Sequence, residues 1–265
     1  MEMAIIGGTG VYDPGILSNL REIEVQTPYG PVKPKVGEYH GMEVAFLPRH
    51  GAGHSVPPHR VNYRANIWGL RRLGVKRIIA TTAVGSLNPQ MRPGEMVVID
   101  QFLDFTKGRP STFFEGGPHG VVHVDYTEPY CPELRAEILK AAAQLGYKAH
   151  DGGVYVCTEG PRFETPAEIR MFAKLGGDVV GMTNVPEVVL AREAGICYAT
   201  ISMVTNFAAG MAAGPLTHEE VVALMQENTQ RIRQVIMTVI GMLPKERHCS
   251  CRHAVPNADL FFKEE

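Results

Sequence analysis

Residues 195–210 read Gly195-Ile196-Cys197-Tyr198-Ala199-Thr200-Ile201-Ser202-Met203-Val204-Thr205-Asn206-Phe207-Ala208-Ala209-Gly210. A run this apolar is a buried strand, and small and polar residues break it at Thr205 and Asn206. In open α/β sheets, ligands bind just outside the carboxyl ends of strands. An Asn side chain there can donate and accept hydrogen bonds together, which suits an uncharged heterocycle that presents both kinds of edge. Asn206 is therefore a candidate reader of a base.

Other apolar runs end in the same way. Met3-Ala4-Ile5-Ile6 stops at Gly7-Gly8-Thr9-Gly10. Glycines after a strand let the backbone approach a ligand and offer N–H groups to an anion. Val11-Tyr12-Asp13-Pro14 follows, so the third glycine of a dinucleotide fingerprint is missing and a phosphate loop is favoured. Residues 22–47 pattern as a β-meander, with Val32, Val36, Met42, Val44 and Phe46 set among Gly and Pro turns. Its last strand runs into Pro48-Arg49-His50-Gly51-Ala52-Gly53-His54, a flexible, cationic loop. Arg suits bidentate capture of phosphate. The strand over residues 75–86 dissolves into Thr81, Thr82, Ala83, Gly85 and Ser86. Two more strands, residues 153–157 and 178–181, lead into Thr158-Glu159-Gly160-Pro161-Arg162-Phe163-Glu164-Thr165 and Met182-Thr183-Asn184-Val185-Pro186-Glu187.

Between these strands the pattern predicts helices over residues 60–73, 131–145, 167–175, up to Ala194, and 217–243. The first buries Ala65, Ile67, Trp68 and Leu70. Pro132 near the start and Gly146 after the end bracket the second. Thr217 and Glu220 form a capping box for the last. Residues 96–99 form a further strand. Residues 107–130, rich in Gly, Pro and aromatics, read as a functional or contact loop. Strands alternating with helices without a linker predict an α/β fold: a single domain with a twisted mixed central sheet flanked by helices. It covers residues 1–245, with a tail at 246–265. The 265 residues, 45% hydrophobic, suffice for a large core.

A net charge of -2 excludes a general nucleic-acid or membrane-surface binder. No apolar run approaches the ~20 residues of a membrane span. Met1-Glu2-Met3-Ala4-Ile5-Ile6-Gly7 lacks the basic start of a signal peptide, so a cytoplasmic protein is expected. Cys131, Cys157 and Cys197 read as buried thiols. For Cys249 and Cys251, flanked by His248 and His253, three readings stand: a solvated tail, a local disulfide, or a crowded metal site with the histidines.

Gly7-Gly8-Thr9-Gly10, Arg49-His50-Gly51, Val61-Asn62-Tyr63-Arg64-Ala65-Asn66-Ile67-Trp68, Glu159–Thr165 and Gly181–Glu187 together resemble the trimeric purine nucleoside phosphorylase / methylthioadenosine phosphorylase family. The resemblance runs over residues 3–242, and the Cys-x-Cys tail resembles that of some hyperthermophile members. It implies the nucleoside phosphorylase fold and phosphorolysis: phosphate attacks C1′ of a purine nucleoside and releases the base. Phosphate is a co-substrate, and neither cofactor nor metal is implied. The implied phosphate ligands are Thr9, Arg49, His50, Thr82, Ala83 through its N–H, and Thr183. Phe163 would stack on the base and Met182 would lie under the sugar. Phe207 and Ala208 would help line the site. His123 would reach a neighbouring subunit's site in a homotrimer, with a hexamer of paired trimers left open.

The resemblance divides by substrate. The methylthioadenosine branch carries Asp where this chain has Asn206, a small Ser where it has Glu164, and an apolar residue where it has His218. Glu164 can accept the N1–H that hypoxanthine and guanine present and adenine lacks. The Asn206 amide can bond O6 and N7 as charge develops on the purine, so Asn206, Glu164 and His50 are the expected catalytic residues. His218 can bond a 5′-hydroxyl, which a methylthio group cannot reciprocate. These positions imply inosine and guanosine as substrates, although residues 61–68 and 184–194 look more like the methylthioadenosine branch. Methylthioinosine and then methylthioadenosine phosphorolysis are the alternatives, and a nucleoside- or phosphate-binding module is the non-enzymatic one.

Overall fold

The structure, a computed structural model, describes residues 1–7, 17–117, 120–212, 218–256 and 258–262, the side chains of residues 52, 218–223, 227, 259 and 260 apart. Among the described residues, eleven strands join one mixed sheet. β1 (Met3–Gly7) is followed by β2 (Ser18–Glu22), β3 (Lys35–Tyr39) and β4 (Met42–Pro48), and β2–β3 and β3–β4 pair antiparallel as a meander. β4 returns parallel to β1, and β5 (Arg77–Ser86) lies parallel along the other side of β1. Alternate residues of β1 face opposite ways. Ala4 and Ile6 enter one core, and Met3 and Ile5 the other.

β6 (Met96–Val98), β7 (Gln101–Phe105), β8 (Ala149–Asp151), β9 (Val154–Thr158), β10 (Val179–Gly181) and β11 (Cys197–Phe207) complete the sheet. β11 runs parallel to β5 along its length and carries β6 antiparallel on its far edge. β10 pairs antiparallel with the end of β5 and continues through parallel β9 to β7. The sequence reading contained neither β7 nor β8. β8 has three residues, Ala149-His150-Asp151, too few for a periodic signal.

α1 (Tyr63–Arg72) packs on α4 (Asn184–Glu193), while α2 (Pro132–Gln144) packs on α5 (His218–Met242). α3 (Pro166–Lys174) turns Ile169 and Phe172 onto Val156 and Val180. α1 starts at Tyr63 because the Asn62 side chain accepts from the Ala65 N–H and caps it. Thr165 and Glu168 form a reciprocal capping box on α3. The box expected at Thr217 lies outside the described residues. Residues 107–117 and 120–130 contain no α-helix or strand, as expected, but they are anchored. Phe113, Phe114 and Tyr130 are buried, and the Glu193 carboxylate accepts from the Thr112 hydroxyl at 2.7 Å and the Phe113 N–H at 2.8 Å.

The tail departs from expectation. Cys249, Cys251, Val255 and Ala258 are buried, so the segment is not solvated. α6 (Ala258–Phe261) and Phe262 bring two rings onto Trp68, at centroid distances of 5.3 Å for Phe261 and 4.6 Å for Phe262. All five cysteines are free thiols, so no local disulfide links Cys249 to Cys251. Their sulfurs gather with Cys131 and Cys197 instead of with His248 and His253.

Candidate active site

β5 decides where a site can form. β11 occupies one of its edges from Arg77 to Ser86. On the other edge β1 pairs as far as Ala80, and β10 takes over at Gly85. Among the described residues, no strand pairs with this edge over residues 81–84, which leaves a notch in the middle of the sheet. The Thr81 carbonyl faces the notch, where it accepts from Arg49 Nη1 at 2.9 Å. Alternation along a parallel strand turns the backbone groups of Ala83 the same way. The Ala83 N–H is thus suited to the anion contact expected of it.

Arg49 follows β4, and its N–H extends the ladder to the Gly7 carbonyl at 3.1 Å. Its side chain is not an open fork. Nε and Nη2 each donate to the Glu187 carboxylate at 2.7 Å. Both groups are buried, and the Tyr198 hydroxyl also donates to Glu187 at 2.7 Å. Burial opposes the Arg49 charge, but Glu187 more than offsets it and the pKa rises. The guanidinium has five N–H donors, of which three are committed here. The remaining two, on Nη1 and Nη2, can still meet an anion, but not as the bidentate fork that the sequence suggested.

His50 also differs from the cationic loop expected. Burial, and then the neighbouring Arg49 charge, lower its pKa to about 4. The ring is therefore neutral at physiological pH. Nδ1 lies 2.8 Å from the Val56 carbonyl, so Nδ1 carries the hydrogen and Nε2 presents a lone pair. His54 stacks on it at 4.2 Å. Thr183, buried at the N-cap of α4, makes no side-chain capping bond, and its N–H donates to the Tyr155 hydroxyl at 3.4 Å. Thr82 is buried and shares a 2.8 Å hydrogen bond with Ser202 across the β5–β11 ladder. Thr9 lies outside the described residues.

The base-reading candidates approach the notch from β10. Asn206 is not beyond the end of its strand, as the sequence implied, but within β11. A bulge after Val204 places Asn206, rather than Thr205, opposite Gly85. Such bulges re-aim side chains at functional sites. Oδ1 of Asn206 accepts from the Thr205 hydroxyl at 2.7 Å, and Nδ2 donates to the Phe207 carbonyl at 2.8 Å. One Nδ2 hydrogen and one Oδ1 lone pair are left. Gly85 makes room for this amide: a Cβ there would lie 3.2 Å from Nδ2 and 3.3 Å from Val180 Cγ1. Glu164 accepts from the Thr158 hydroxyl at 2.6 Å, and Thr158 also lies 3.4 Å from the Gly181 carbonyl. Asn206 is thus held within β11 opposite Gly85, and Glu164 is linked through Thr158 to the end of β10. Burial raises the Glu164 pKa, against the lowering effect of the Thr158 bond.

Phe163 is exposed, unusual for a large aromatic side chain and suited to stacking on a planar ligand. Met182 packs its sulfur against Gly160, where a Cβ would come within 2.6 Å. Phe207 is half-buried and Ala208 buried beside them. His123 is exposed on the irregular segment. His218 opens α5, and its side chain lies outside the described residues.

The sequence reading missed two residues that hold this arrangement. Glu187 had a signal: an acid inside the apolar run Val185-Pro186-Glu187-Val188-Val189-Leu190 needs a buried partner. Arg109 had none. Its Nη1 donates to the carbonyls of Met182 and Val185 at 2.7 Å, and its Nη2 to those of Glu159 at 2.7 Å and Thr158 at 3.1 Å. Its Nε lies 3.3 Å from Glu159 Oε2, close enough for an ion pair but not aligned as a hydrogen bond. One guanidinium thereby fixes the two loops that present Phe163, Glu164, Met182 and Thr183.

Comparison with known proteins agrees in family and fold. Residues 2–241 match the model of the Phosphorylase superfamily. A Moorella thermoacetica protein named probable 6-oxopurine nucleoside phosphorylase is 62% identical over 98% of this chain and 100% of its own. The 6-oxopurine nucleoside phosphorylase of Pyrococcus furiosus is 58% identical over 97% of this chain and 98% of its own. Among solved structures, a methylthioadenosine phosphorylase from an antarctic soil metagenomic library superposes with a TM-score of 0.90 at 39% identity, covering 96% of this chain and 90% of that one.

Proposed function

This chain belongs to the phosphorylase superfamily, and from that premise we propose that it catalyses phosphorolysis of 6-oxopurine nucleosides to the free base and ribose 1-phosphate. It acts as a pentosyltransferase in purine salvage. Phosphate oxygen forms a bond to C1′ as the bond from C1′ to the purine nitrogen breaks, and the bonding electron pair leaves with the base. The observation that carries the substrate class is the pair Asn206 and Glu164, the first held within β11 opposite Gly85 and the second by the Thr158 hydroxyl. The remaining Nδ2 hydrogen of Asn206 bonds the purine where negative charge develops, an interaction strongest in the transition state. Ionised Glu164 accepts the N1–H of hypoxanthine or guanine. Adenine offers no hydrogen there, and a buried unpaired acceptor discriminates more strongly than a missing apolar contact.

At the notch, the Ala83 N–H, Thr183 and the uncommitted hydrogens of Arg49 bind phosphate, and Thr9 is a further ligand by resemblance to the family. The lone pair of neutral His50 accepts from a protonated phosphate oxygen. Phe163 stacks on the base, Met182 supports the sugar, and His218 bonds the 5′-hydroxyl. The working unit is a cytoplasmic homotrimer in which His123 completes a neighbour's site. Among the described residues, no helix is long and apolar enough to cross a membrane.

The test supplies phosphate with inosine, guanosine, adenosine, methylthioinosine or methylthioadenosine in turn. Inosine and guanosine should give the highest kcat/KM. Faster turnover of adenosine or methylthioadenosine would overturn the base assignment. A preference for methylthioinosine over inosine would remove the role of His218.

A further inference from the structure

Away from the notch, four thiols converge from three parts of the chain. Cys131 caps α2, Cys197 opens β11, and Cys249 and Cys251 come from the tail. All four are buried, and their sulfurs all lie within 4.8 Å of one another. We propose that these four cysteines form a structural zinc site that clamps the C-terminal tail onto the domain.

The geometry favours a metal over disulfides. Two disulfides need two close pairs, whereas a tetrahedron needs all six sulfur pairs close together. At a zinc–sulfur distance of about 2.3 Å the tetrahedral edge is roughly 3.8 Å. Cys197 and Cys249 lie 3.3 Å apart, nearer to that edge than to the ~2.05 Å of a disulfide bond. Three of the four sulfurs also have an N–H donor of their own. The Leu134 N–H donates to Cys131 at 3.5 Å. Arg247 Nη1 lies 3.7 Å from Cys197, and Arg192 Nη1 lies 3.7 Å from Cys251. Such outer contacts orient thiolate ligands and stabilise their charge.

The charge count agrees. Binding converts four thiols and one zinc(II) ion into a tetrathiolate of net charge -2, and releases four protons to solvent. The two arginines offset that charge. No oxidant is required, unlike disulfide formation. Four soft sulfur ligands with no position left open select zinc in a structural role. The site does not touch the notch and takes no part in the reaction.

The tail also carries a reporter. Trp68 is the only tryptophan of the chain, and Phe261 and Phe262 pack against it. The full-length protein should be purified under reducing conditions from zinc-supplemented cells, without chelator, and its metal measured. One equivalent of zinc per chain is expected. Cys131→Ser and Cys251→Ser should lose it, while Cys157→Ser, at the one cysteine outside the cluster, should keep it. Cobalt(II) added to metal-stripped wild type should produce the spectrum of a tetrahedral tetrathiolate, a readout independent of whether the variants fold. Stripping should also lower Tm and change Trp68 fluorescence, and zinc alone should restore both. The proposal is overturned if reduced wild type takes up neither zinc nor cobalt. It is equally overturned if intact mass of freshly extracted protein, alkylated at once, shows the four cysteines paired as disulfides.

Discussion

The two ends of the site are built differently. At the phosphate end, Arg49, Glu187 and Tyr198 form a network fully removed from solvent, fixed by three hydrogen bonds of 2.7 Å. At the base end, Asn206 and Glu164 are only half-buried, each held by short local bonds, and Phe163 is exposed. The difference fits what each end is proposed to bind. Phosphate is small and common to every substrate, so a rigid preset frame serves it. The base must enter, be read and leave, so its readers sit at the rim. Stability should therefore depend chiefly on the first end, and selectivity on the second.

The largest expected break in this contrast is Arg49→Ala. It leaves the Glu187 carboxylate buried without its cation, which costs about 3–5 kcal/mol. Denaturant unfolding should show that loss, together with weakened phosphate binding. A stability change under about 1 kcal/mol would mean that the network is not the frame described. Asn206→Ala comes next. It should lower kcat with inosine by roughly 10²–10³ while phosphate affinity and Tm stay near wild type. If phosphate affinity collapsed equally, the two ends would not be separable.

Glu164→Gln should act on selectivity. Losing the charged acceptor for N1–H weakens inosine kcat/KM by about 1–3 kcal/mol and narrows the preference over adenosine. Because burial raises the pKa of Glu164, the wild-type acid limb with inosine should lie above the ordinary carboxylate value, and Gln should shift it. An unchanged profile in the Gln variant would assign that limb to another group.

The smallest effect concerns His50 under mildly acid conditions. Its folded pKa, about 4, is below the ordinary 6.5, so the unfolded chain takes the proton first. The stabilisation from a neutral His50 is complete above about 6.5 and is lost as pH falls toward about 4. His50→Gln should flatten the Tm profile across that window, and an identical slope in both proteins would contradict a neutral buried imidazole.

Much of this was legible in the sequence because the signals are local. The apolar spacing of Ala65, Ile67, Trp68 and Leu70 marks the buried face of α1, and Pro132 and Gly146 bracket α2, each within a few residues of chain. The apolar runs that became β1, β5 and β11 announce strands buried on both faces. Residues expected at strand ends, among them Arg49, Ala83, Glu164, Thr183 and Asn206, lie at or beside the notch and β10.

What stayed hidden depends on partners far away along the chain. Arg109 gains its role from carbonyls 49–76 positions on, and no local pattern encodes that. The bulge in β11 appears only in register with β5, so the sequence placed Asn206 past the strand instead of inside it. The hydrogen bond of Thr82 to Ser202 joins residues 120 positions apart, which no local pattern shows.

By itself, then, the sequence determined the alternating α/β order and the strand ends that carry polar chemistry, because both rest on residue type and short-range periodicity; the 6-oxopurine reading of Glu164 and Asn206 came from the family resemblance. Tertiary structure alone decided that the Arg49 fork belongs to Glu187, that β1 and β10 leave a notch along β5, and that the tail, for which the sequence left three readings open, buries Cys249 and Cys251 beside Cys131 and Cys197. Those outcomes depend on which distant groups share a low-dielectric interior, and only the folded chain sets that.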